Sequence, residues 1–282
     1  MTDIALPRVG HIGFLNCLPL YWGLQAIGAD AGMRLLRDTP DHLSDALVAG
    51  DLDIGPISLI EALRNADDLL VLPEVAVGSD GPVRSVCLVS RRPLADLEDA
   101  LVALGSTSRT SVLLARLVLE QVYGLHPRYL KHVPDLQAML EVADAAVLIG
   151  DPALHATLVG APEAGWHVLD LGQAWREWTD LPMVFAVWAV RRDYALDHPE
   201  SLAKVRTAFA RALGAASDHR DLVVTAASAT TDYPRAAFED YFSVLDFSLG
   251  DRQLAGIERF GLEIAGAGLA SVKGRLTVLP RI

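Results

Sequence analysis

Short polar side chains stand at four joints of the chain, where an apolar, strand-like segment gives way to a helix-like one. Asn16 follows "RVGHIGFL", Ser58 follows "LDIGPI", the run Ser106, Thr107 and Ser108 follows "LVALG", and Asp151 follows "AAVLIG". Side chains of these types cap helices in many proteins, so each joint has a purely structural interpretation. Each joint also exposes unpaired backbone N–H groups and the positive end of a helix. Such groups together would bind a carboxylate.

The elements that must position these residues alternate between strand and helix. In the first unit, one helix is predicted with Pro40 at its start and Gly50 just past its end. A second unit begins at "RSVCLVSRR", and Gly124 and Gly160 are predicted to end two of its helices. This alternation indicates an α/β fold with parallel strands, in which ligands bind beyond the carboxyl ends of the strands. We therefore expect the four joints to face one cleft.

Two long apolar segments predict how the chain divides. "SVCLVSRR" and "VFAVWAVRR" both end in a pair of arginines, and each is long enough to pass from one lobe to another. We predict a discontinuous lobe 1, residues 1–88 plus 191–282, with lobe 2, residues 89–190, inserted into it. Two crossing strands would form a hinge, and a hinge between lobes creates a ligand cleft.

Composition limits the class of partner. The chain has 282 residues, 51% hydrophobic and 21% charged, with a net charge of −12, which fits a globular protein of two domains. An acidic chain argues against nucleic acid or an anionic membrane as partner, although local dipoles can still hold a small anion. No obligate protein partner is evident. The start "MTDIALPRVG" lacks a signal-peptide pattern and no apolar run is long enough for a membrane span, so we expect a cytoplasmic location.

Several side chains keep two interpretations. Arg84 is either a surface arginine or a clamp for a carboxylate near the cleft. Trp175 and Trp178 either pack the hinge, which we favour, or stack on a ring. Cys17 and Cys87 are interpreted as buried free thiols, and no Cys/His cluster has the spacing of a metal site. With no nucleotide fingerprint and no nucleophile elbow, the residues alone predict a two-lobed binder of a small anion, whether enzyme or binding protein.

A combination of sequence blocks narrows this choice. The blocks are "IGFLNCLPLYWGL", "GDLDIGPISLIEAL", "GPVRSVCLVSRRPL", "GSTSRTSVLLARLVL", "AVLIGDPAL" and "DLGQAWREWTDLPMVFAVWAVR". In this order they resemble the conserved blocks of the chorismate dehydratases of menaquinone biosynthesis. The resemblance runs from about Val9 to Arg192, and the helical C-terminal third adds little to it.

The resemblance implies a type II periplasmic-binding-protein-like fold and a lyase that needs no cofactor. The implied substrate is chorismate, a dicarboxylate. The implied product is 3-[(1-carboxyvinyl)oxy]benzoate, which feeds the futalosine route to menaquinone. Asn16 and Ser85 would be the catalytic residues, with Asn16 orienting the substrate and its departing hydroxyl and Ser85 beside it. The enolpyruvyl carboxylate of the substrate itself is the implied base.

The candidate substrate-binding residues, from the polar joints and the resemblance together, are Ser58, Arg84, Ser106, Thr107, Ser108 and Asp151. The three residues from Ser106 to Ser108 would hold a carboxylate at a helix start, and Asp151 would cap its helix or contact a hydroxyl. The roles of Arg84 and of Arg109 rest on their charge alone.

Two alternatives to this enzyme stay open. One is a non-catalytic cytoplasmic binder of a small carboxylate. A solute receptor of this fold would need a signal peptide or lipid anchor, and a transcription regulator would need a helix-turn-helix ahead of it. The other is a sister lyase that acts later in the same pathway but opens with a different N-terminal block.

Overall fold

The computed structural model describes residues 6–282. The first five residues, which belong to predicted lobe 1 and to the segment without a signal-peptide pattern, lie outside this range. The strands are β1 Arg8–Ile12, β2 Arg34–Asp38, β3 Ile54–Ser58, β4 Leu69–Ser79, β5 Val86–Ser90, β6 Leu101–Gly105, β7 Arg128–His132, β8 Ala145–Ile149, β9 His167–Asp170 and β10 Met183–Arg191. The α-helices are α1 Leu18–Ala26, α2 Pro40–Ala49, α3 Leu59–Arg64, α4 Thr110–Leu117, α5 Leu136–Val142, α6 Gly150–His155, α7 Ala161–Ala164, α8 Leu171–Thr179, α9 Arg192–Asp197, α10 Pro199–Asp218, α11 Arg220–Ser228, α12 Arg235–Val244 and α13 Asp251–Gly266.

The strands form two five-stranded sheets, and the predicted α/β class is confirmed. The first sheet has the order β2-β1-β3-β10-β4, and the second has the order β7-β6-β8-β5-β9. Within each sheet, three strands joined by helices run parallel. The strands β10 and β5 run antiparallel to their neighbours, so the sheets are mixed rather than purely parallel. The carboxyl ends of β1, β3, β6 and β8 precede the four polar joints.

The two apolar segments predicted to cross between the lobes form β5 and β10, and neither strand extends from one sheet into the other. β5 pairs only within the second sheet and β10 only within the first, so the chain passes between the sheets in segments 80–85 and 171–182. Both strands are apolar because each lies inside a sheet with both faces buried, although β5 has only five residues and β10 has nine. The predicted lobe boundaries, 88/89 and 190/191, therefore fall within these strands, and the division into lobes 1–88 plus 191–282 and 89–190 stays a prediction.

Helix ends differ from the predicted ones at specific turns. Gly50 and Gly124 adopt the left-handed conformation expected after a helix, with φ of 87° and 65°. The prediction for Gly160 is wrong: its φ is −59°, and the helical path continues through a π-turn into α7. Gly165, with φ of 66°, ends that helix instead. A glycine therefore marked a helix end only where the backbone needed a positive φ.

The helix α1 packs against α10 at very short range, and Gly23 permits this contact. A Cβ at Gly23 would lie 2.0 Å from the carbonyl oxygen of Ala212 in α10. Since α1 follows the joint that carries Asn16, this close packing fixes the position of that joint on the first sheet.

We expect Gly23→Ala to lower the free energy of unfolding by about 1–3 kcal/mol or more, because the added methyl must push the two helices apart. The matched control is Gly214→Ala in α10, where a Cβ would meet nothing within 4 Å. That change should stabilise the protein by ~0.5–1 kcal/mol through helix propensity alone. Urea unfolding of both variants measures the difference, and equal effects would contradict the close-packing explanation.

Candidate active site

A cavity lies between the two sheets and takes its walls from both. Most of its lining is apolar, and its polar side chains come from a few short segments. It is lined by Ile12, Phe14, Asn16, Cys17, Pro40, Asp41, Pro56, Ile57, Ser58, Val77, Val83, Ser85, Val86, Thr107, Ser108, Arg109, Thr110, Ser111, Ile149, Gly150, Phe185 and Ala186. Apolar walls with a small number of placed polar groups are typical of a small-molecule site.

Asn16 lies in the cavity wall and does not cap a helix. It is the middle residue of a single 3₁₀ turn, Leu15–Cys17, and α1 starts only at Leu18. Its amide oxygen Oδ1 is buried and has no hydrogen-bond partner among residues 6–282. A buried polar atom without a partner is unfavourable for folding, so the structural explanation for this residue is weak. The side chain is instead available to a ligand.

Ser58 shows the same combination at the end of β3. It occupies the residue just before α3, yet its hydroxyl makes no capping bond. Its Oγ is buried and without a partner in the described part of the chain. Two of the four predicted joints therefore place a buried, unpaired oxygen at one cavity.

Ser85 is presented by a tight turn before β5. Its backbone N–H donates to the carbonyl of Val83 two residues back at 2.8 Å, and the intervening Arg84 has a φ of 65°. A positive φ at a non-glycine residue is strained and persists only where the surroundings hold it. Here the carboxylate of Asp170 accepts from the N–H groups of Val83 at 3.0 Å and Arg84 at 2.8 Å. The turn fixes Ser85 in the wall, where the phenol of Tyr241 donates to its Oγ at 2.8 Å.

The hydroxyl-rich run after β6 lies only partly in the cavity. Thr107 and Ser108 line the cavity, whereas Ser106 does not. The backbone N–H of Ser106 donates to the backbone carbonyl of His132 at 2.8 Å. The predicted helix starts later than the sequence indicated, at Thr110, because residues 106–109 form a turn. The Oγ1 of Thr110 accepts from the backbone N–H of Ile60 at 3.1 Å, which joins α4 to α3 beside the cavity wall.

Asp151 supports the joint opposite it and is not part of the cavity lining. Its Oδ1 accepts from the backbone N–H of Leu15 at 2.9 Å, directly before Asn16. Burial raises the pKa of this carboxyl above its ordinary value, and the Leu15 N–H and the charge of Arg37 oppose that shift. Next to it, Gly150 touches the ring of Phe14 so closely that a Cβ would lie 2.5 Å from the ring. The second sheet thus positions the Asn16 turn of the first.

The two candidate arginines have different surroundings. The guanidinium of Arg84 forms a surface ion pair with Asp240 at 3.1 Å and does not reach the cavity wall, so the prediction of a cleft-facing clamp is not supported. Arg109 does line the cavity, with Asp45 at 2.7 Å and Glu61 at 3.6 Å on its other side. These carboxylates belong to α2 and α3, so Arg109 bridges the two sheets beside the hydroxyl-rich run.

Three residues of the site escaped the sequence analysis. Asp41 lines the cavity, and its Oδ1 is buried with no hydrogen-bond partner in the described range. Asp41 follows Pro40 in the first turn of α2, and this position at a helix start could have indicated it from the sequence. Tyr241 and Asp170 act over 156 and 87 residues of sequence separation, which no local pattern reveals.

Other predicted features have structural roles. Trp175 is buried and donates from Nε1 to the carbonyl of Pro182 at 3.2 Å, and neither Trp175 nor Trp178 lines the cavity. Cys17 and Cys87 are free and buried, and burial raises the pKa of both thiols.

In the range 6–282, no group of three or more His, Cys, Asp or Glu side chains is arranged to hold a metal ion. No helix in that range is long and apolar enough to cross a bilayer.

The architecture matches that of solved structures that include two sulfonate-binding proteins. The chain superposes on a protein from Archaeoglobus fulgidus with a TM-score of 0.74 at 18% identity, covering 95% of this chain and 100% of that one. It superposes on the alkanesulfonate-binding protein SsuA from Xanthomonas axonopodis, bound to MOPS, with a TM-score of 0.70 at 18% identity and 99% of each chain. The periplasmic aliphatic sulphonate binding protein SsuA from Escherichia coli gives 0.65 at 20% identity, covering 98% and 91%. The protein therefore has the predicted two-lobed, periplasmic-binding-protein-like fold.

Sequence comparison then separates this chain from the solute receptors. The family model described as menaquinone biosynthesis matches residues 7–265. A protein named chorismate dehydratase from Thermus thermophilus is 34% identical over an alignment of 202 positions, which covers 67% of this chain and 70% of that relative. The chain belongs to the menaquinone biosynthesis family.

We expect the stability of Asp151→Asn relative to the wild type to rise as pH increases from 4 to 7. The pKa of Asp151 in the folded protein lies above the ordinary 3.8. The contribution of this carboxyl to the stability of the wild type therefore falls as pH rises through the raised value and the buried group ionises. The amide carries no charge but keeps an oxygen for the Leu15 N–H. Thermal midpoints measured across this range test the expectation.

The control for this measurement is Asp38→Asn. The Thr39 N–H and the His42 side chain lower the pKa of Asp38, so its ionised form stabilises the fold. Relative to the wild type, this variant should lose stability as pH rises from below the lowered pKa towards 3.8, and it should show no rise between pH 4 and the titration of His42. Parallel curves for the two variants would contradict the role given to burial at Asp151.

Proposed function

We propose that the protein is a lyase that converts chorismate into 3-[(1-carboxyvinyl)oxy]benzoate and water in menaquinone biosynthesis, by the futalosine route. The observation that carries this proposal is the convergence of Asn16, Ser58 and Ser85 on one apolar cavity, where Oδ1 of Asn16 and Oγ of Ser58 are buried and have no partner among residues 6–282. Membership of the menaquinone biosynthesis family and the likeness to a chorismate dehydratase support the choice of substrate.

The chemistry of the cavity suits such a substrate. Chorismate has a six-membered ring, which apolar walls such as Phe14, Ile57 and Phe185 would enclose. Its carboxylates need donors, and Thr107, Ser108 and the start of α4 provide them. Arg109 also lines this wall, but its guanidinium is paired with Asp45 and Glu61, so it would bind a substrate carboxylate only by exchanging one of these partners.

The reaction removes the proton at C3 and the hydroxyl at C4, and it leaves an aromatic ring. The electron pair of the C3–H bond enters the ring as the C4–O bond breaks, and the proton and hydroxide leave as water. No electrons pass to or from an outside acceptor, so the proposal invokes no cofactor. Donors that meet the developing negative charge would lower the barrier. Asn16 is proposed to orient the substrate and its departing hydroxyl, with Ser85 beside it.

The base is proposed to be the enolpyruvyl carboxylate of the substrate. In this mechanism the protein contributes by holding the conformer in which that carboxylate meets the C3 proton, and such positioning can supply several kcal/mol. Among the described residues that line the cavity, Asp41 is the one that carries a carboxylate. It is therefore the alternative candidate for the base.

The proposed location is the cytoplasm. Cys17 and Cys87 remain as thiols, which suits a reducing compartment.

Incubation of the protein with chorismate tests the function, with Asn16→Asp as the diagnostic variant. The wild type should release the aromatic product, followed by absorbance and chromatography, and kcat/KM of the variant should fall by ~10²–10³-fold, because a negative charge replaces the neutral amide beside a dianion. The thermal midpoint should barely change, since Asn16 caps no helix. Binding of chorismate by the wild type without product would instead identify a non-catalytic binder.

The control for charge is Asn65→Asp, which adds the same carboxylate at the end of α3, outside the cavity lining. Its turnover should equal that of the wild type. If Asn16→Asp also turned over chorismate at the wild-type rate, Asn16 would have no catalytic role.

Asp41→Asn distinguishes the two candidate bases. If the substrate supplies the base, the variant keeps kcat within a few-fold and its KM falls, because a negative charge near the dianion is removed. A loss of kcat of ~10³-fold or more, without unfolding, would assign the base to Asp41 instead. Steady-state kinetics over a range of pH separates the two outcomes.

A further inference from the structure

The phenol of Tyr241 reaches the cavity wall from a helix far away in sequence. Tyr241 lies in α12 and is buried in a small apolar cluster that also contains Leu15, before the Asn16 turn, and Leu154 of α6. Its O–H donates to the Oγ of Ser85 at 2.8 Å. The helical C-terminal third, which adds little to the sequence resemblance, thus supplies a contact to a proposed catalytic residue.

The direction of this hydrogen bond follows from the partners available. Tyr241 has no other hydrogen-bond partner in the described part of the chain, so its proton would be left unsatisfied if Ser85 were the donor. Burial also raises the pKa of Tyr241, which keeps the phenol protonated. Ser85 therefore accepts from Tyr241.

Once Ser85 accepts, its own proton must point elsewhere. The protein acceptor within reach is the carbonyl of Val83 at 3.4 Å, which is long for a hydroxyl donor. The remaining direction is the cavity that Ser85 lines. A donor held in this way needs no rearrangement when charge develops on a substrate oxygen.

We propose that Tyr241 is a positioning residue: it fixes the Ser85 hydroxyl as a hydrogen-bond donor directed into the cavity, towards the oxygen that leaves in the reaction. This inference rests on the proposed dehydration.

A double-mutant cycle of Tyr241→Phe and Ser85→Ala tests the proposal. Tyr241→Phe removes only the hydroxyl and keeps the packed ring. We expect kcat to fall by about 10- to 100-fold with KM little changed. Ser85→Ala and the double variant should have the same kcat, because Tyr241 acts only through Ser85. If the two losses multiply in the double variant, or if Tyr241→Phe keeps full kcat, the proposal is overturned.

Tyr194→Phe is the matched control. Its phenol also donates to a serine, Ser201, at 3.0 Å, but neither residue lines the cavity, so kcat should be unchanged. If Tyr241→Phe is unstable, Tyr241→Met removes the same donor and enters the same cycle. A wild type that does not convert chorismate would refute the proposed function, and with it this role. A wild type that does so while the cycle is additive would refute the role of Tyr241 alone.

Discussion

The chain crosses between the two sheets twice, in segments 80–85 and 171–182. Both segments donate hydrogen bonds to one carboxylate, that of Asp170. It accepts from the backbone N–H groups of Val83 and Arg84 in the outward passage, and from those of Gly172 and Gln173 at the start of α8 in the return passage. These four bonds hold the strained turn that presents Ser85 and cap the helix that leads back to β10. The geometry of the cavity therefore depends on an interaction outside it.

Two polar groups of the cavity wall make no hydrogen bond within the described part of the chain. Asn16 and Ser58 each bury an oxygen that has no partner among residues 6–282, and Ser58 does so although it occupies the N-cap position of α3. Unpaired buried polar groups destabilise a fold, so their presence in one apolar cavity points to a ligand that pairs with them. The carboxylate of Asp151, by contrast, accepts a hydrogen bond from the Leu15 N–H and so fixes the Asn16 turn.

Local sequence patterns predicted the α/β class and the placement of Asn16, Ser58, Thr107 and Ser108, because strand ends in such folds have a known direction. They failed where position depends on distant contacts. Arg84 pairs with Asp240 on α12, and Tyr241 on the same helix reaches Ser85. No periodicity or spacing encodes such pairs. The crossing segments were misplaced for a related reason, since burial within one sheet and passage between two sheets produce the same apolar run.

A solute-binding architecture can act as a lyase if binding already selects the reactive conformer. Elimination from chorismate needs a base, a donor for the departing oxygen and exclusion of water, and a substrate that carries its own carboxylate base reduces what the protein must add. The remaining requirements are donors fixed before the reaction and apolar walls around the ring. In the proposed mechanism, Ser85 would meet the first through the strained turn and Tyr241, and Phe14 and Phe185 would meet the second. Catalysis would then arise from the rigidity of the cleft rather than from an added catalytic group.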